Sequence, residues 1–441
     1  MKKLLPHQAE DAAFLSSKRI AGCFSGMGSG KTLTALEAVK RVARNSIRSK
    51  VTTIIIGPPI SLHMWALEFA HFVGGDALIV KTGKCILEPA SAYVMSYEIA
   101  TKRVEELKKL DAAVLICDES HALKSWGAKR TQAILGGEGL ALYCDHSWFL
   151  TGTPETKWHD DLYPFLKMAD IDGLEKRTGG SSVERFQLRY CVTQQRKFSP
   201  FQKVPTTLTV GNRNTEELRD WIFSGLAVRR ELEDVWKDMP PITINRLQVD
   251  LEMTPELKRE LKDIKSLTPR QLIDSIEDGQ MASLRRMIGV AKVKHAAKEI
   301  VSRVEAGTRP ILVGCWHREV IDAVQGALWE AGLTVGAIDG RTPGDVKPLI
   351  QNQFNDGTLD VLVGQISAMG VSLNMQGGSH IIVIEEDFSP AVMDQFYARC
   401  HRMGQRNHVH VDIFEDGTEL GQAVSRIATA KSKEHRKVMA Q

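Results

Sequence analysis

The chain contains 441 residues, of which 43% are hydrophobic and 25% are charged, and its net charge at neutral pH is only +3. This length allows two or three domains, and this composition is ordinary for a globular protein. The small net charge excludes a polycation, so any affinity for nucleic acid must come from a local basic surface. The seven cysteines form no Cys-x-x-Cys pair, which argues against a structural zinc site or a disulfide framework and favours a reducing compartment.

Apolar strands and amphipathic helices alternate in the first half of the chain. A helix is predicted at 33–42, and strands are predicted at 20–24, 51–57, 77–80, 92–96, 114–118 and 147–151. Such alternation is typical of an α/β fold with helices on both faces of a parallel sheet. After Pro154 the pattern gives way to a charged, less regular region at about 167–237.

The second half repeats the alternation after a break at Met239-Pro240-Pro241. We therefore predict two domains, 1–238 and 239–441. In the second domain, residues 256–304 and 318–331 have helical patterns, and strands are predicted at 310–315, 334–338, 360–365, 380–385 and 409–414. No apolar run approaches the length that spans a bilayer, so we expect no membrane association.

A glycine-rich loop at 25–32 (Ser-Gly-Met-Gly-Ser-Gly-Lys-Thr) separates the first predicted strand from the first long helix. The glycines of such a loop let backbone N–H groups approach phosphates; these are Gly26, Gly28 and Gly30. Lys31 would neutralise the β- and γ-phosphates, and Thr32 offers a hydroxyl to Mg²⁺. The strict phosphate-loop pattern has glycine at the position of Ser25. The alternative is therefore a glycine-rich helix N-terminus that forms a turn and binds no phosphate.

Two adjacent carboxylates, Asp118 and Glu119, close the apolar strand at 114–118. One carboxylate can hold a metal ion, and the other can orient a water molecule for attack on a γ-phosphate. Neither motif is decisive alone. In this order and at this separation, they predict an ATP-hydrolysing enzyme that uses ATP and Mg²⁺.

Arg399 and Arg402 lie three residues apart in the segment 395–405, for which we predict a helix. Residues at this spacing share one helix face, and a guanidinium there can neutralise the charge of a phosphoryl-transfer transition state. The alternative is a surface helix with ordinary basic residues. Because only the first domain carries a phosphate loop, the second domain is predicted to supply these arginines to its nucleotide.

With these motifs in place, the chain resembles the Swi/Snf-type branch of superfamily II helicases almost from end to end. The matching segments are 5–8, 26–32, 57–59, 95–98, 118–121, 150–154, 316–317, 338–342, 370–374 and 395–405. The resemblance implies two RecA-like parallel-sheet lobes with helical insertions, a helical protrusion at about 167–237 and an ATP cleft between the lobes. Ser120, the Arg189-Tyr190-Cys191 landmark and the compact size look most like the fork-remodelling, strand-annealing subgroup.

The resemblance also assigns roles to single residues. Gln8 would read the adenine edge, and Lys31, Asp118, Glu119, Gln395, Arg399 and Arg402 would form the catalytic set. Thr32 and Asp118 would hold the metal, and His121, Thr151 and Gly370, together with Gln395, would couple the state of the γ-phosphate to movement. Sequence-blind contacts to DNA phosphates are expected from Ser96, Lys124, Lys129, Arg130, His317, Arg341, Thr342 and Asn374; for each lysine or arginine among them, a solvated surface charge is the alternative.

The function implied is that of a DNA-dependent ATPase that moves along double-stranded or branched DNA and remodels forks or junctions by branch migration. A helicase that separates DNA or RNA strands is the alternative within the enzyme class. A non-hydrolysing nucleic-acid-binding scaffold and a P-loop switch protein fit less well, since no catalytic group is missing and the second-domain arginines are present. We expect a monomer in the cytoplasm of a bacterial or phage-infected cell, associated with the nucleoid, with no protein partner evident.

Overall fold

A computed structural model of the chain describes residues 4–47, 51–156, 158–196, 205–264, 268, 271–272, 275, 281–344, 346–369, 373–387 and 389–426. The chain forms two compact units, Met1–Val235 and Trp236–Gln441. This division lies just before the boundary predicted after residue 238. Gly370, predicted to take part in coupling, lies outside the described residues.

The first unit is built on a seven-stranded parallel sheet with the strand order β3-β4-β2-β5-β6-β1-β9. Its strands are β1 (Ile20–Cys23), β2 (Thr53–Gly57), β3 (Ala77–Val80), β4 (Ala92–Ser96), β5 (Val114–Asp118), β6 (His146–Leu150) and β9 (Ala227–Val228). The helices before the insertion are α1 (Pro6–Ser17), α2 (Lys31–Asn45), Leu62–Phe72, Tyr97–Lys102, Val104–Lys108, Lys129–Leu135 and Tyr163–Ala169.

The central strands of this sheet are buried on both faces. Ile54, Ile55 and Ile56 of β2 are fully buried, which explains why this strand reads as a continuous apolar run. One face packs in a cluster that contains Leu115 and Phe149, and the other packs around Trp148. The register pairs Asp118 at the end of β5 with Leu150 at the end of β6, so the segments that follow these strands emerge at one edge of the sheet.

The region predicted as a helical protrusion is not wholly helical. Its helices are Ile171–Thr178, Val183–Tyr190, Thr215–Phe223 and Leu232–Val235, and it also holds an antiparallel pair, β7 (Cys191–Arg196) and β8 (Thr206–Asn212). The Thr-rich sequence of β8 favours a strand. The packed rings of Tyr163, Phe186, Tyr190 and Trp221 hold this region against the rest of the first unit. The chain then returns to the main sheet as β9, which pairs in parallel with β1.

The second unit contains a six-stranded parallel sheet with the order β10-β15-β14-β11-β13-β12. Its strands are β10 (Ile242–Gln248), β11 (Ile311–Cys315), β12 (Val335–Ile338), β13 (Val361–Gln365), β14 (His380–Val383) and β15 (Val409–Glu415). Its helices are Pro255–Ile264, Ala282–Glu305, Arg318–Glu330, Lys347–Asn355, Ile366–Met369 and Pro390–Tyr397. The predicted class of two α/β parallel-sheet lobes is thereby confirmed. Among the described residues, no helix is long and apolar enough to cross a membrane.

Candidate nucleotide-binding site

The glycine-rich loop connects β1 to α2, as predicted from its sequence context. Gly28 and Gly30 have φ angles of 80° and 86°, a left-handed conformation that other residues adopt at a cost. Gly30 is the N-terminal cap of α2, and Lys31 is the first residue of that helix. The backbone N–H groups at a helix start have no partner within the helix, so this loop can bind an anion.

The side chain of Lys31 folds back onto the loop that precedes α2. Its Nζ donates to the carbonyl oxygens of Ser25 and Gly26, at 2.8 and 3.1 Å. These contacts keep the ammonium group where it can neutralise an anion bound by the loop. Thr32 follows in the first turn of α2 and is partly exposed.

Ser25, the departure from the strict phosphate-loop pattern, is buried with 1% of its surface exposed. Its Oγ accepts a hydrogen bond from the backbone N–H of Arg230 at 3.1 Å. The hydroxyl therefore satisfies a partly buried backbone donor that a glycine would leave without this acceptor.

Gln8, predicted to read adenine, lies on α1 beside the loop. Its Oε1 accepts from the backbone N–H of Leu5 at 2.9 Å, and its Nε2 donates to the carbonyl of Gly30 at 3.4 Å. The neighbouring His7 has its Nε2 3.0 Å from the carbonyl of Ser29. The helix that carries the amide is thus held against the end of the phosphate loop.

We expect Gly30→Ala to weaken nucleotide binding by about tenfold or more. A Cβ at this position would overlap Gln8 Nε2, and the φ angle of 86° adds backbone strain of about 1–3 kcal/mol. Gly83→Ala is the matched control, because its Cβ would meet no heavy atom within 4 Å. Binding of a fluorescent ATP analogue measures the effect, and unchanged affinity in Gly30→Ala would show that the loop does not hold the nucleotide.

Asp118 lies at the end of β5 and is fixed by two neighbours. Its Oδ2 accepts from the indole Nε1–H of Trp65 at 2.7 Å, and its carbonyl accepts from the hydroxyl of Tyr97 at 2.8 Å. Burial, followed by the charge of Glu119, raises the pKa of Asp118 to about 6. Burial and the charge of Glu119 both disfavour the ionised form of Asp118, so a bound cation would stabilise that form.

The donor set at this edge fits Mg²⁺. Carboxylate and hydroxyl oxygens are its preferred protein ligands, and it is commonly held by one or two carboxylates together with substrate phosphates. Asp118 and Thr32 supply these two oxygen types. Within the part of the chain that the structure describes, no three His, Cys, Asp or Glu side chains form a metal cage.

Glu119 adopts a left-handed backbone conformation with φ of 49°, which is uncommon for a residue with a side chain. Its Oε2 lies 3.3 Å from His121 Nδ1, and the same nitrogen lies 3.2 Å from Thr151 Oγ1. Thr151 Oγ1 also accepts from the backbone N–H of Thr153. The structure therefore joins the predicted base to two of the predicted coupling residues.

The loop after β6 also approaches the phosphate loop. A Cβ on Gly152 would lie 3.0 Å from the side chain of Met27 and 3.6 Å from Lys31 Nζ. The absence of a side chain at Gly152 lets the two loops lie close together. Lys31, Glu119, His121 and Thr151 are consequently gathered at one edge of the first sheet.

The helix predicted at 395–405 is corrected by the structure, because the helix Pro390–Tyr397 ends before both arginines. Arg399 Nε donates to the carbonyl of Gln395, an acceptor that a continuing helix would pair with the backbone N–H of residue 399. The backbone N–H of Arg399 bonds to Phe396 instead, in a tighter turn. The side chain therefore satisfies the end of the helix on which Gln395 lies.

Arg399 and Arg402 nevertheless converge. Both guanidinium groups donate to the carbonyl of Leu373, at 3.0 Å from Arg399 Nη1 and 3.5 Å from Arg402 Nη1. Arg399 is 8% exposed, and burial lowers the pKa of Arg402. Arginine stays charged under such a shift, so the second unit carries two clustered positive charges.

The predicted DNA-contact residues of the first unit are dispersed over several elements. Ser96 is an N-terminal cap whose Oγ accepts from the backbone N–H of Ile99. Lys124 donates to Thr156 Oγ1, whereas Lys129 and Arg130 are exposed at the start of the helix Lys129–Leu135. The side chains of Lys129 and Arg130 are therefore accessible to a binding partner.

The corresponding residues of the second unit make intramolecular contacts. His317 binds Glu385 through its backbone N–H and its Nδ1, and Thr342 Oγ1 accepts from the backbone N–H of Asp339. Asn374 accepts from Asn355 through its carbonyl oxygen. Arg341 forms ion pairs with Asp322 and Asp339, so a DNA phosphate would compete with two carboxylates for this side chain.

Arg230 is a feature of the site that the sequence did not reveal. The family resemblance gives Arg229-Arg230 no role beyond that of a landmark of the protrusion at about 167–237, yet the structure places Arg230 against the phosphate loop. The two segments are about 200 residues apart in the sequence, and neither spacing nor composition indicates their contact.

Comparison with known proteins identifies both halves of the chain. A profile of the SNF2-related domain matches residues 7–257, and a profile of the helicase conserved C-terminal domain matches residues 291–404. The SWI/SNF-related matrix-associated actin-dependent regulator of chromatin subfamily A-like protein 1 homolog of Caenorhabditis elegans is 28% identical, over 72% of this chain and 44% of its own length. The DNA annealing helicase and endonuclease ZRANB3 of Mus musculus is 24% identical, over 94% of this chain and 39% of its own.

Among solved structures, the SWI2/SNF2 ATPase core of Sulfolobus solfataricus in complex with double-stranded DNA matches at 17% identity with a TM-score of 0.45, covering 99% of this chain and 97% of that one. The chain spans less than half the length of the two curated relatives described above. The SNF2-related profile covers more than half of the chain. The chain therefore belongs to the SNF2-related family.

Proposed function

We propose that this protein is a DNA-stimulated ATP hydrolase that moves along double-stranded or branched DNA. One observation carries the enzymatic part of the proposal. The phosphate loop with Lys31 and the acidic pair Asp118-Glu119 lie at the same edge of the first sheet, where a Cβ on Gly152 would already be 3.6 Å from Lys31 Nζ. Family membership supports the same conclusion.

In this mechanism, the loop N–H groups and Lys31 bind the β- and γ-phosphates. Thr32 and Asp118 would hold Mg²⁺, which would neutralise charge at the phosphates. Glu119 accepts a proton from the attacking water, and Gln8 selects adenine. His121, which contacts both Glu119 and Thr151, transmits the state of the γ-phosphate through Thr151 to the rest of the first unit.

We propose further that the preferred substrates are forks and junctions. The annealing-helicase name of one relative supports this choice. Moving a branch exchanges base pairs for equivalent base pairs, so the motor need supply only direction. Opening a duplex costs about 1.4 kcal/mol of stacking per step with nothing returned.

Steady-state ATPase measurements with duplex, single-stranded, forked and four-way DNA and with RNA, at one fixed salt concentration, test the proposal. We expect slow hydrolysis by the protein alone and at least about tenfold faster hydrolysis with duplex or branched DNA, since positioned arginines contribute about 10³–10⁵ in rate in related NTPases. Lys31→Ala is the inactive control. Equal rates with and without DNA would refute the stimulation.

Strand-exchange assays on the same DNAs test the substrate. The protein should move a four-way junction and fail to separate a long tailed duplex. Efficient separation of the tailed duplex without activity on the junction would assign the protein to the strand-separating helicases instead.

A further inference from the structure

The segment 228–231 extends the parallel sheet alongside the phosphate loop. Three backbone hydrogen bonds continue the pairing of β1 with β9 in steps of two residues. They are Gly22 N to Leu226 O at 2.9 Å, Phe24 N to Val228 O at 2.8 Å, and Gly26 N to Arg230 O at 2.7 Å. The first part of the phosphate loop is therefore held as the continuation of a strand, and Arg230 is the last residue of this ladder.

The side chain of Arg230 binds a different element, the helix α1. Its Nε and Nη2 donate to Asp11 Oδ1 at 3.0 and 2.9 Å, and Nη2 also contacts Glu10 Oε2 at 2.9 Å. Asp11 is only 2% exposed, whereas the side chain of Glu10 is 66% exposed. Burial raises the pKa of Asp11, and the bond to Arg230 opposes that rise. Of the two carboxylates that Arg230 contacts, Asp11 is therefore the buried one and Glu10 the exposed one.

The helix α1 also carries Gln8, one turn before Asp11. Gln8 Nε2 donates to the carbonyl of Gly30 at the far end of the phosphate loop. Arg230 therefore fixes α1 to the beginning of the loop, while Gln8 contacts its end. These two attachments therefore fix the position of the Gln8 amide relative to the phosphate loop.

We infer that Arg230 is a positioning residue that sets adenine selectivity by fixing α1 relative to the phosphate loop. This inference rests on the proposed function, since it takes ATP as the ligand. Gln8 can distinguish adenine from guanine only while its amide lies within hydrogen-bonding distance of the base edge. A small displacement of α1 removes that contact and leaves the phosphate contacts of the loop intact.

Two conservative substitutions loosen the attachment without adding bulk. Arg230→Lys keeps the charge and loses the forked geometry, and Asp11→Asn keeps the shape and loses the charge. Glu10→Gln is the matched control, because it changes the exposed partner alone. The measurement is the ratio of kcat/KM for ATP to that for GTP, together with the equilibrium affinities for fluorescent ATP and GTP analogues.

We expect Arg230→Lys and Asp11→Asn each to lower the preference for ATP over GTP about tenfold. This is the effect of losing one hydrogen bond that distinguishes adenine from guanine. The loss should come from a weaker affinity for ATP, with kcat at saturating ATP within about twofold of wild type, whereas Glu10→Gln keeps the preference of wild type. In a Gln8→Ala background, neither substitution should lower the preference further, since both act through the same amide.

An unchanged preference in folded Arg230→Lys and Asp11→Asn would overturn the inference, and so would an equal further loss in the Gln8→Ala background. Melting temperatures establish that the variants are folded. The binding measurements separate this result from a failure of the proposed function, because they need no hydrolysis. A wild-type protein that binds the ATP analogue selectively and hydrolyses nothing would refute the proposed function alone.

Discussion

Glu119→Gln should bind ATP with nearly the affinity of the wild-type protein and hydrolyse it about 10²–10⁴-fold more slowly, the usual contribution of a general base. The amide keeps the size of the side chain but cannot accept a proton from water. Glu119 is already positioned for this role, with its Oε2 3.3 Å from His121 Nδ1 and its neighbour Asp118 held by Trp65. The loss should therefore appear in turnover and not in binding.

Turnover in the presence of DNA and binding of a fluorescent ATP analogue measure the two quantities separately. Glu98→Gln is the matched control, because it makes the same change in a side chain that is 75% exposed. Lys31→Ala provides the opposite pattern, since it removes a phosphate contact and should weaken binding itself. Near-wild-type turnover in Glu119→Gln would show that another group activates the water.

The geometry of the candidate site was predictable because most of its determinants are local. The phosphate loop follows from three glycines and a lysine between a strand and a helix, and Asp118 follows from the end of an apolar strand. Parallel strands then bring these two segments to one edge of the sheet. The convergence of Lys31 and Glu119 follows from strand direction, which alternation of strands and helices already implies.

Features that depend on distant pairing could not be predicted. The strand β10 follows two prolines and leaves most of its residues partly or fully exposed, so its sequence resembles a linker. Its strand conformation comes from its pairing with β15 at the other end of the unit. The contact of Arg230 with the phosphate loop has the same origin, since it depends on the return of the chain as β9.

The end of the helix before Arg399 could not be predicted for a different reason. Residues 395–405 include a helix-compatible pattern, but the Gln395 carbonyl accepts from the Arg399 side chain where a continuing helix would supply a backbone N–H. The same local break allows Arg399 and Arg402 to share the carbonyl of Leu373. Although the helix ends before Arg399, the two guanidinium groups still lie together, as the functional prediction requires.

Arg402→Ala should leave the affinity for ATP largely intact and lower the DNA-stimulated kcat by about 10³-fold, the lower end for an arginine that neutralises transition-state charge. Such a group acts more strongly in the transition state than in the bound substrate, so kcat and kcat/KM should fall together. Arg402→Lys should recover only part of the rate, because an ammonium group lacks the fork of the guanidinium. Arg406→Ala is the control, since Arg406 is an exposed arginine nearby.

Arg399→Ala should show the same loss of kcat together with a lower melting temperature. Its side chain is buried and donates to the backbone carbonyls of Gln395, at the end of a helix, and Leu373, whereas the bond from Arg402 to Leu373 is 3.5 Å long. Removing the donor from the Gln395 carbonyl, and leaving Leu373 with the longer bond from Arg402, costs about 1–3 kcal/mol. A loss of ATP affinity with an unchanged maximal rate in Arg402→Ala would assign this arginine to substrate binding and remove it from the transition state.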